Sequence, residues 1–357
     1  MNSTPPRPVG SVGSAPVGSA PVGSAPVGSA PIRSAPIRSG APRRESAQPD
    51  PAPAQTAAER LTDLRYATAW RLVRALPARL ASTVFRLGAD RAARRDGAGA
   101  RQLRANLTRV VPSASSAELD VLVRDGLRSY ARYWCETFRL PVMDPREIHA
   151  AMDPLVTGVG PFLDALDAGR GVVIALPHSG NWDAAGVWLV ETLRRRGRDP
   201  SFTTVAQRLR PASLYRRFVA HRESLGFEVV AAEDGSAGYR ALLRRLRAGG
   251  VVCLVADRDV TGGGVDVTFL GEPARLPAGP ARLAALTGAL LVAAYPRFTP
   301  GGWAMAMADP VPTPARPDVA AATQALADAF GVLIAQAPQD WHMLQPIWPA
   351  DREPVVV

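Results

Sequence analysis

A chain of 357 residues is long enough for one large domain or two ordinary ones. All 42 of its basic residues are arginine, which excludes a phosphate-loop lysine, a Schiff-base lysine and a pyridoxal-phosphate anchor. The formal charge is +10, and Cys135 and Cys253 lie far apart in apolar surroundings, with neither zinc spacing nor the look of a disulfide framework.

Residues 14–39 repeat a five-residue unit, Ser-Ala-Pro-Val-Gly and then Ser-Ala-Pro-Ile-Arg. The period is too short for a solenoid and the composition cannot bury a core, so residues 1–56 are expected to be a disordered tail. From residue 58 the pattern turns helical, with Leu61, Leu64, Val73, Leu76, Leu80, Val84, Phe85 and Leu87 recurring at helical intervals among arginines. Residues 60–109 carry twelve arginines against Asp63, Asp90 and Asp96, a net charge of +9. Residues 57–150 are therefore expected to form an amphipathic helical region docked on an anionic membrane surface. A merely solvated helix face is the competing reading. Nucleic acid is disfavoured as a partner, because the basic block lacks interleaved aromatics and any docking motif. No run of 18 uncharged apolar residues exists, and the N-terminus lacks the apolar core of a secretory signal. The expectation is a peripheral protein on the cytoplasmic face of the cell membrane.

Beyond residue 170, apolar strands alternate with helices. Strands are expected at 171–176, 202–206, 227–231, 251–256, 290–295, 303–307 and 341–344, and helices at 183–195, 211–225, 236–247, 277–287 and 319–334. This alternation predicts an α/β fold with a mostly parallel central sheet flanked by helices. Residues 151–357 would form that core, joined with 57–150 into one domain. Ligands of such sheets bind beyond the carboxyl ends of the strands.

His178 stands there, one proline beyond strand 171–176, in His178-Ser179-Gly180-Asn181-Trp182-Asp183. Gly180 permits a sharp turn, Asn181 suits a helix N-cap, and Asp183 falls on the first helical turn. Five residues across this junction can bring imidazole and carboxylate together as an acid–base centre. The remaining histidines are read as surface residues (His149, His221) or a satisfied core residue (His342). Asp257-Arg258-Asp259 follow strand 251–256, expected to open on the same face. Residues 269–280 read as a glycine-rich loop entering a helix, where Arg275 and backbone N–H groups could hold a phosphate.

His178-x4-Asp183, the acidic end at Asp257, the Gly271-Glu272-Pro273 to Pro277 segment and the apolar run from Leu290 to Pro296 occur in that order. This order resembles the four blocks of the lysophospholipid acyltransferase superfamily, in its lipid A biosynthesis branch. The run from His178 to Val190, Leu214-Tyr215-Arg216-Arg217-Phe218 and Arg222-Glu223-Ser224-Leu225-Gly226-Phe227 are similar to actinobacterial phosphatidylinositol mannoside acyltransferases. The resemblance covers roughly residues 60–350. It implies acyl-CoA as co-substrate with no cofactor or metal, and transfer of a palmitoyl-like chain to a mannosylated phosphatidylinositol. His178 would be the general base and Asp183 the motif carboxylate. Asp257 would occupy an acidic position, often glutamate, that pairs with the histidine and is its closer partner. Arg222 matches an arginine at the acyl-CoA site, and Asn181, Arg258 and Arg275 complete the expected substrate-binding set. Two positions depart from the pattern: aspartate at 257 is one methylene shorter than glutamate, and Leu286 stands where close relatives are expected to be polar. No Gly-x-Ser-x-Gly elbow occurs, so no serine acyl-enzyme is expected. Other readings are acylation of a lysophospholipid or lipid A-like acceptor, a metal-dependent hydrolase using His178, Asp183, Asp257 and Asp259, and a non-catalytic membrane binder.

Overall fold

The computed structural model describes residues 64, 68, 70–208, 212–260, 262–312 and 318–351. The repeat tail at 1–56, Leu61 and the expected helix start at Pro211 lie outside these residues. In chain order the helices are α1 (Ala78–Arg95), α2 (Ala98–Val110), α3 (Ser116–Arg139), α4 (Pro145–Met152), α5 (Gly160–Asp167), α6 (Trp182–Arg195), α7 (Ala212–Glu223), α8 (Gly235–Arg247), α9 (Gly279–Thr287) and α10 (Val319–Gln336). The strands are β1 (Val156–Thr157), β2 (Val172–Leu176), β3 (Phe202–Ala206), β4 (Phe227–Ala231), β5 (Val251–Val255), β6 (Val265–Phe269), β7 (Glu272–Leu276), β8 (Leu290–Thr299) and β9 (Gly302–Met307).

Seven strands form the central sheet in the order β1-β9-β8-β2-β5-β3-β4. Every neighbouring pair is parallel except β8 and β9. The fold is α/β with a mostly parallel central sheet between helices. The central strand β2, Val-Val-Ile-Ala-Leu, is buried at all five positions, as a strand covered on both faces must be. Alternate side chains feed two cores. Val173, Leu246, Leu291, Phe330 and Trp341 pack on one face. Ile174, Trp188, Phe202, Val292 and Met305 pack on the other.

The structure corrects three local expectations. Residues 269–280 are not a loop: β6 and β7 form an antiparallel hairpin turning at Leu270 and Gly271, both at positive φ. Pro273 is tolerated because β7 pairs on one side only, with β6. Residues 341–344 are not a strand but a strap that crosses the turn after β2. It makes one isolated bridge, Ser179 with Trp341, and the His342 N–H donates to the His178 carbonyl at 2.7 Å. Strand β8 runs four residues beyond its expected end, because it folds back on β9.

The N-terminal helices build from local signals. Ser115 and Glu118 form a reciprocal capping box that starts α3. Against α3, Leu103 and Leu107 of α2 close a small core with Ala89 of α1. The fully buried Asn106 binds this block to the strap, its amide donating to the Met343 carbonyl at 2.7 Å and the Gln345 carbonyl at 3.1 Å. By contrast Leu72, Leu80, Val84 and Leu87 remain exposed. Among the described residues α10 alone is long and apolar enough to cross a membrane by composition, yet it contains Asp328 and packs Leu326, Phe330 and Ile334 into the core.

Candidate active site

The sheet register builds the site. Strands β2 and β5 are parallel neighbours with Leu176 opposite Val255, and the Ala256 N–H donates to the Leu176 carbonyl at 2.9 Å. Continuing two residues along both strands sets His178 against Asp257. The His178 Nδ1 lies 2.7 Å from Asp257 Oδ1, and the His178 backbone N–H donates to Asp257 Oδ2 at 2.9 Å. The Trp341 indole N–H, brought by the strap, donates to the same Oδ2 at 3.0 Å. Neighbouring strands stand about 4.8 Å apart, so the short aspartate side chain reaches the imidazole without a longer arm.

Asp257 has no solvent exposure. Burial alone would raise its pKa; the charge of His178 and the donors from imidazole, indole and backbone outweigh burial and hold it below the usual carboxylate range. The ionised carboxylate fixes the proton on Nδ1, leaving Nε2 as the basic nitrogen. The His178 side chain is 36% exposed, so that nitrogen's ring remains open to a substrate.

Asp183 is not part of this pair. Its carboxylate accepts from Arg222 Nε at 2.9 Å, from the Tyr133 hydroxyl at 3.1 Å and from Thr137 at 3.4 Å. From the first turn of α6 its side chain meets α3 and α7, so the five-residue spacing to His178 does not produce a direct contact. The expected acid–base pair is corrected accordingly: the histidine's carboxylate is Asp257, and Asp183 with Arg222 is a buried ion pair joining three helices.

The other expected substrate residues divide. Asn181 is spent on the protein: its oxygen caps α6 at the Ala184 N–H (2.9 Å), and its amide donates to Glu136 at 2.9 Å. Gly180 makes this turn possible, with φ of +49° and only 2.5 Å between an imagined Cβ and the Pro296 carbonyl oxygen. Arg222 is buried on Asp183. Arg275 is held by Asp266 and the carbonyls of Gly262 and Gly264, and Asp259 accepts from the N–H groups of Gly262 and Gly264. Arg275 and Asp259 thus brace one loop rather than face His178. Arg258 stands half-buried directly after Asp257 and pairs with no carboxylate among the described residues. Among these residues no three His, Cys, Asp or Glu side chains converge as metal ligands. Leu286 is exposed on α9.

Sequence reasoning missed the supports contributed from distant segments. Trp182 meets the His178 ring edge-on at 5.8 Å and stacks on Tyr133 at 3.9 Å. His149 and His221, expected at the surface, are buried. His342 is buried and half satisfied: Nε2 lies 2.8 Å from Ser129 Oγ, which donates to Asp340 at 2.6 Å, while Nδ1 has no partner. Burial, and then the neighbouring His178, push His342 down to about 3, so it stays neutral beside that ring. Only the aromatic and polar composition of Trp341-His342 hints at this from sequence.

Beside the dyad an apolar cavity runs between α6 and the sheet. Its enclosed part measures about 60 Å³, within about 580 Å³ of empty space that includes its mouth. Leu176, Trp182 and Val255 lie toward His178, Asp183 and Arg222 form its polar wall, and Phe202 and Phe227, with rings 4.6 Å apart, lie toward the far end.

A buried carboxylate orienting an open histidine beside an apolar cavity suits transfer chemistry on a lipid, and residues 53–349 match the bacterial lipid A biosynthesis acyltransferase family. The chain belongs to that family and is an acyltransferase. Among its relatives, the phosphatidylinositol mannoside acyltransferase of Mycolicibacterium smegmatis (strain ATCC 700084 / mc(2)155) is 51% identical over 292 residues, covering 82% of this chain and 92% of the relative. The protein of the same name from Mycobacterium tuberculosis (strain CDC 1551 / Oshkosh) is 48% identical over 300 residues, covering 84% and 92%.

The two carboxylates predict different failures. Asp257→Asn should lower kcat by roughly 10²–10⁴-fold, because it removes the charge that orients and stabilises the imidazolium. Asp183→Asn should instead strand Arg222 and cost on the order of 3–5 kcal/mol of stability. Steady-state kinetics and thermal unfolding on both variants check this; a larger loss of kcat in folded Asp183→Asn would reverse the assignment.

Proposed function

We propose that the chain transfers a long-chain fatty acyl group from acyl-CoA to a mannose hydroxyl of a phosphatidylinositol mannoside, with His178 as general base. The carrying observation is the His178–Asp257 pair, whose imidazole meets Trp182, a wall of the apolar cavity, at 5.8 Å. The acceptor is drawn from the names of relatives about half identical to the chain.

In this reading the mannose hydroxyl gives its proton to His178 Nε2 as its oxygen bonds to the thioester carbonyl carbon. The tetrahedral oxyanion collapses, the carbon–sulfur bond breaks, and the departing thiolate recovers the proton from the imidazolium. Asp257 stays ionised and stabilises the imidazolium between the two transfers. Acyl-CoA is a co-substrate, and no cofactor takes part. The acyl chain lies in the cavity lined by Leu176, Trp182, Leu189, Val255 and Phe202.

The protein attaches peripherally to an anionic membrane, on its cytoplasmic face. Exposed Leu72, Leu80, Val84, Leu87 and Val142, interspersed with Arg71, Arg79 and Arg86, support this attachment.

Incubating purified protein with palmitoyl-CoA and mannosylated phosphatidylinositol should give an acceptor heavier by one palmitoyl group. Products with lysophospholipids but with no mannoside would overturn the acceptor. The cavity reading predicts more. A Cβ on Gly186 would stand 2.5 Å from Phe227 Cζ and 3.1 Å from Phe202 Cζ. Gly186→Ala therefore forces these two cavity-lining rings to shift, which should lower kcat/KM for palmitoyl-CoA relative to lauroyl-CoA; an unchanged ratio in the folded variant would place the chain elsewhere.

A further inference from the structure

A second apolar space, of about 550 Å³, lies as a groove between α1 and α3. Val84, Phe85 and Gly88 of α1 and Tyr130 and Trp134 of α3 line it, together with Leu344 of the strap. It shares no lining residue with the cavity beside His178. Val84 is exposed, as are Leu80 and Leu87 on the same helix. The space stands open over Gly88, a residue that packing does not require. A Cβ there would meet nothing within 4 Å, and glycine inside a helix weakens it relative to alanine.

Two features say what fits the groove. The helix that forms one wall is cationic: α1 carries Arg79, Arg86, Arg91, Arg94 and Arg95, all exposed, against Asp90 alone, and Asp90 is held by Arg128. An apolar trough beside exposed arginines suits a fatty chain whose headgroup is anionic. The groove also leads toward the base. Tyr130 lies 5.4 Å from the ring of His342, whose backbone N–H donates to the His178 carbonyl. Trp134 lies 5.1 Å from Tyr133, which stacks on Trp182, and Trp182 meets the His178 ring. Direct transfer without an acyl-enzyme needs donor and acceptor bound together. With the donor's acyl chain in the cavity at Phe202, the separate groove is left for the acceptor.

Resting on that acyl-transfer reading, we propose that the α1–α3 groove seats one fatty chain of the anionic glycerophospholipid acceptor, whose headgroup then reaches past Tyr130 to His178. Gly88→Leu fills the groove without a clash and should melt no lower than wild type, because leucine favours helix. The full chain is irradiated on phosphatidylcholine vesicles carrying phosphatidylinositol with a mid-chain diazirine, and the adducts are mapped by mass spectrometry. Adducts should fall on residues 84–92 and 127–134, and Gly88→Leu should lower their yield about tenfold. The same substitution should raise KM for the mannosylated lipid about tenfold while KM for palmitoyl-CoA holds. Crosslinking needs no turnover, so a chain inactive on every mannoside rejects the transfer reading, and the adduct map still judges the groove. Adducts confined to other surfaces, a wild-type adduct yield in Gly88→Leu, or an unchanged mannoside KM in that variant overturns the proposal. So does a chain that excludes the probe and sediments as a dimer, which would make the groove a contact between two copies.

Discussion

A carboxylate with no access to water must be fully paired or it will not stay ionised. Asp257 meets this requirement with the His178 imidazole, the His178 backbone N–H and the Trp341 indole. The three donors come from two structural decisions. The imidazole and backbone N–H follow from the parallel register of β2 and β5, and the indole from the strap that crosses the end of β2. The strap is in turn held by Asn106 of α2, so the helices ahead of the sheet take part in orienting a group at its carboxyl edge.

The second carboxylate of the site solves a different problem. Asp183 sits at the start of α6 and binds Arg222 of α7 together with Tyr133 and Thr137 of α3. A buried ion pair of this kind contributes little net stability but punishes removal of either member, so its worth is in fixing three helices relative to one another. Of these, α6 and α7 line the apolar cavity, and the pair forms its polar wall. One carboxylate thus orients His178, and the other shapes the space beside it.

Much of this was legible in the sequence because it is local. The all-apolar strands, the proline and glycine before α6, and the Asn181 cap read directly from residue type and period. Strands β3 and β4 lie at their expected bounds. The hairpin of β6 and β7 was hidden by Gly271 and Pro273, which read as loop, although its turn needs that glycine. Which strands are neighbours is not written in any local pattern. Asp257 lies 79 residues from His178; its strand end puts it on the same face, and family resemblance pairs it with the histidine, whereas spacing alone points to Asp183. Trp341, Tyr133 and Glu136 reach the site across long separations and carry no motif.

The central claim is that Asp257, and not Asp183, holds the proton-bearing nitrogen of His178. The most direct measurement is the proton spectrum of the His178 Nδ1–H, which a short bond to a buried carboxylate moves far downfield. This resonance should survive in Asp183→Asn and be lost in Asp257→Asn. Its survival in Asp257→Asn together with loss in a folded Asp183→Asn would instead make Asp183 the partner of His178.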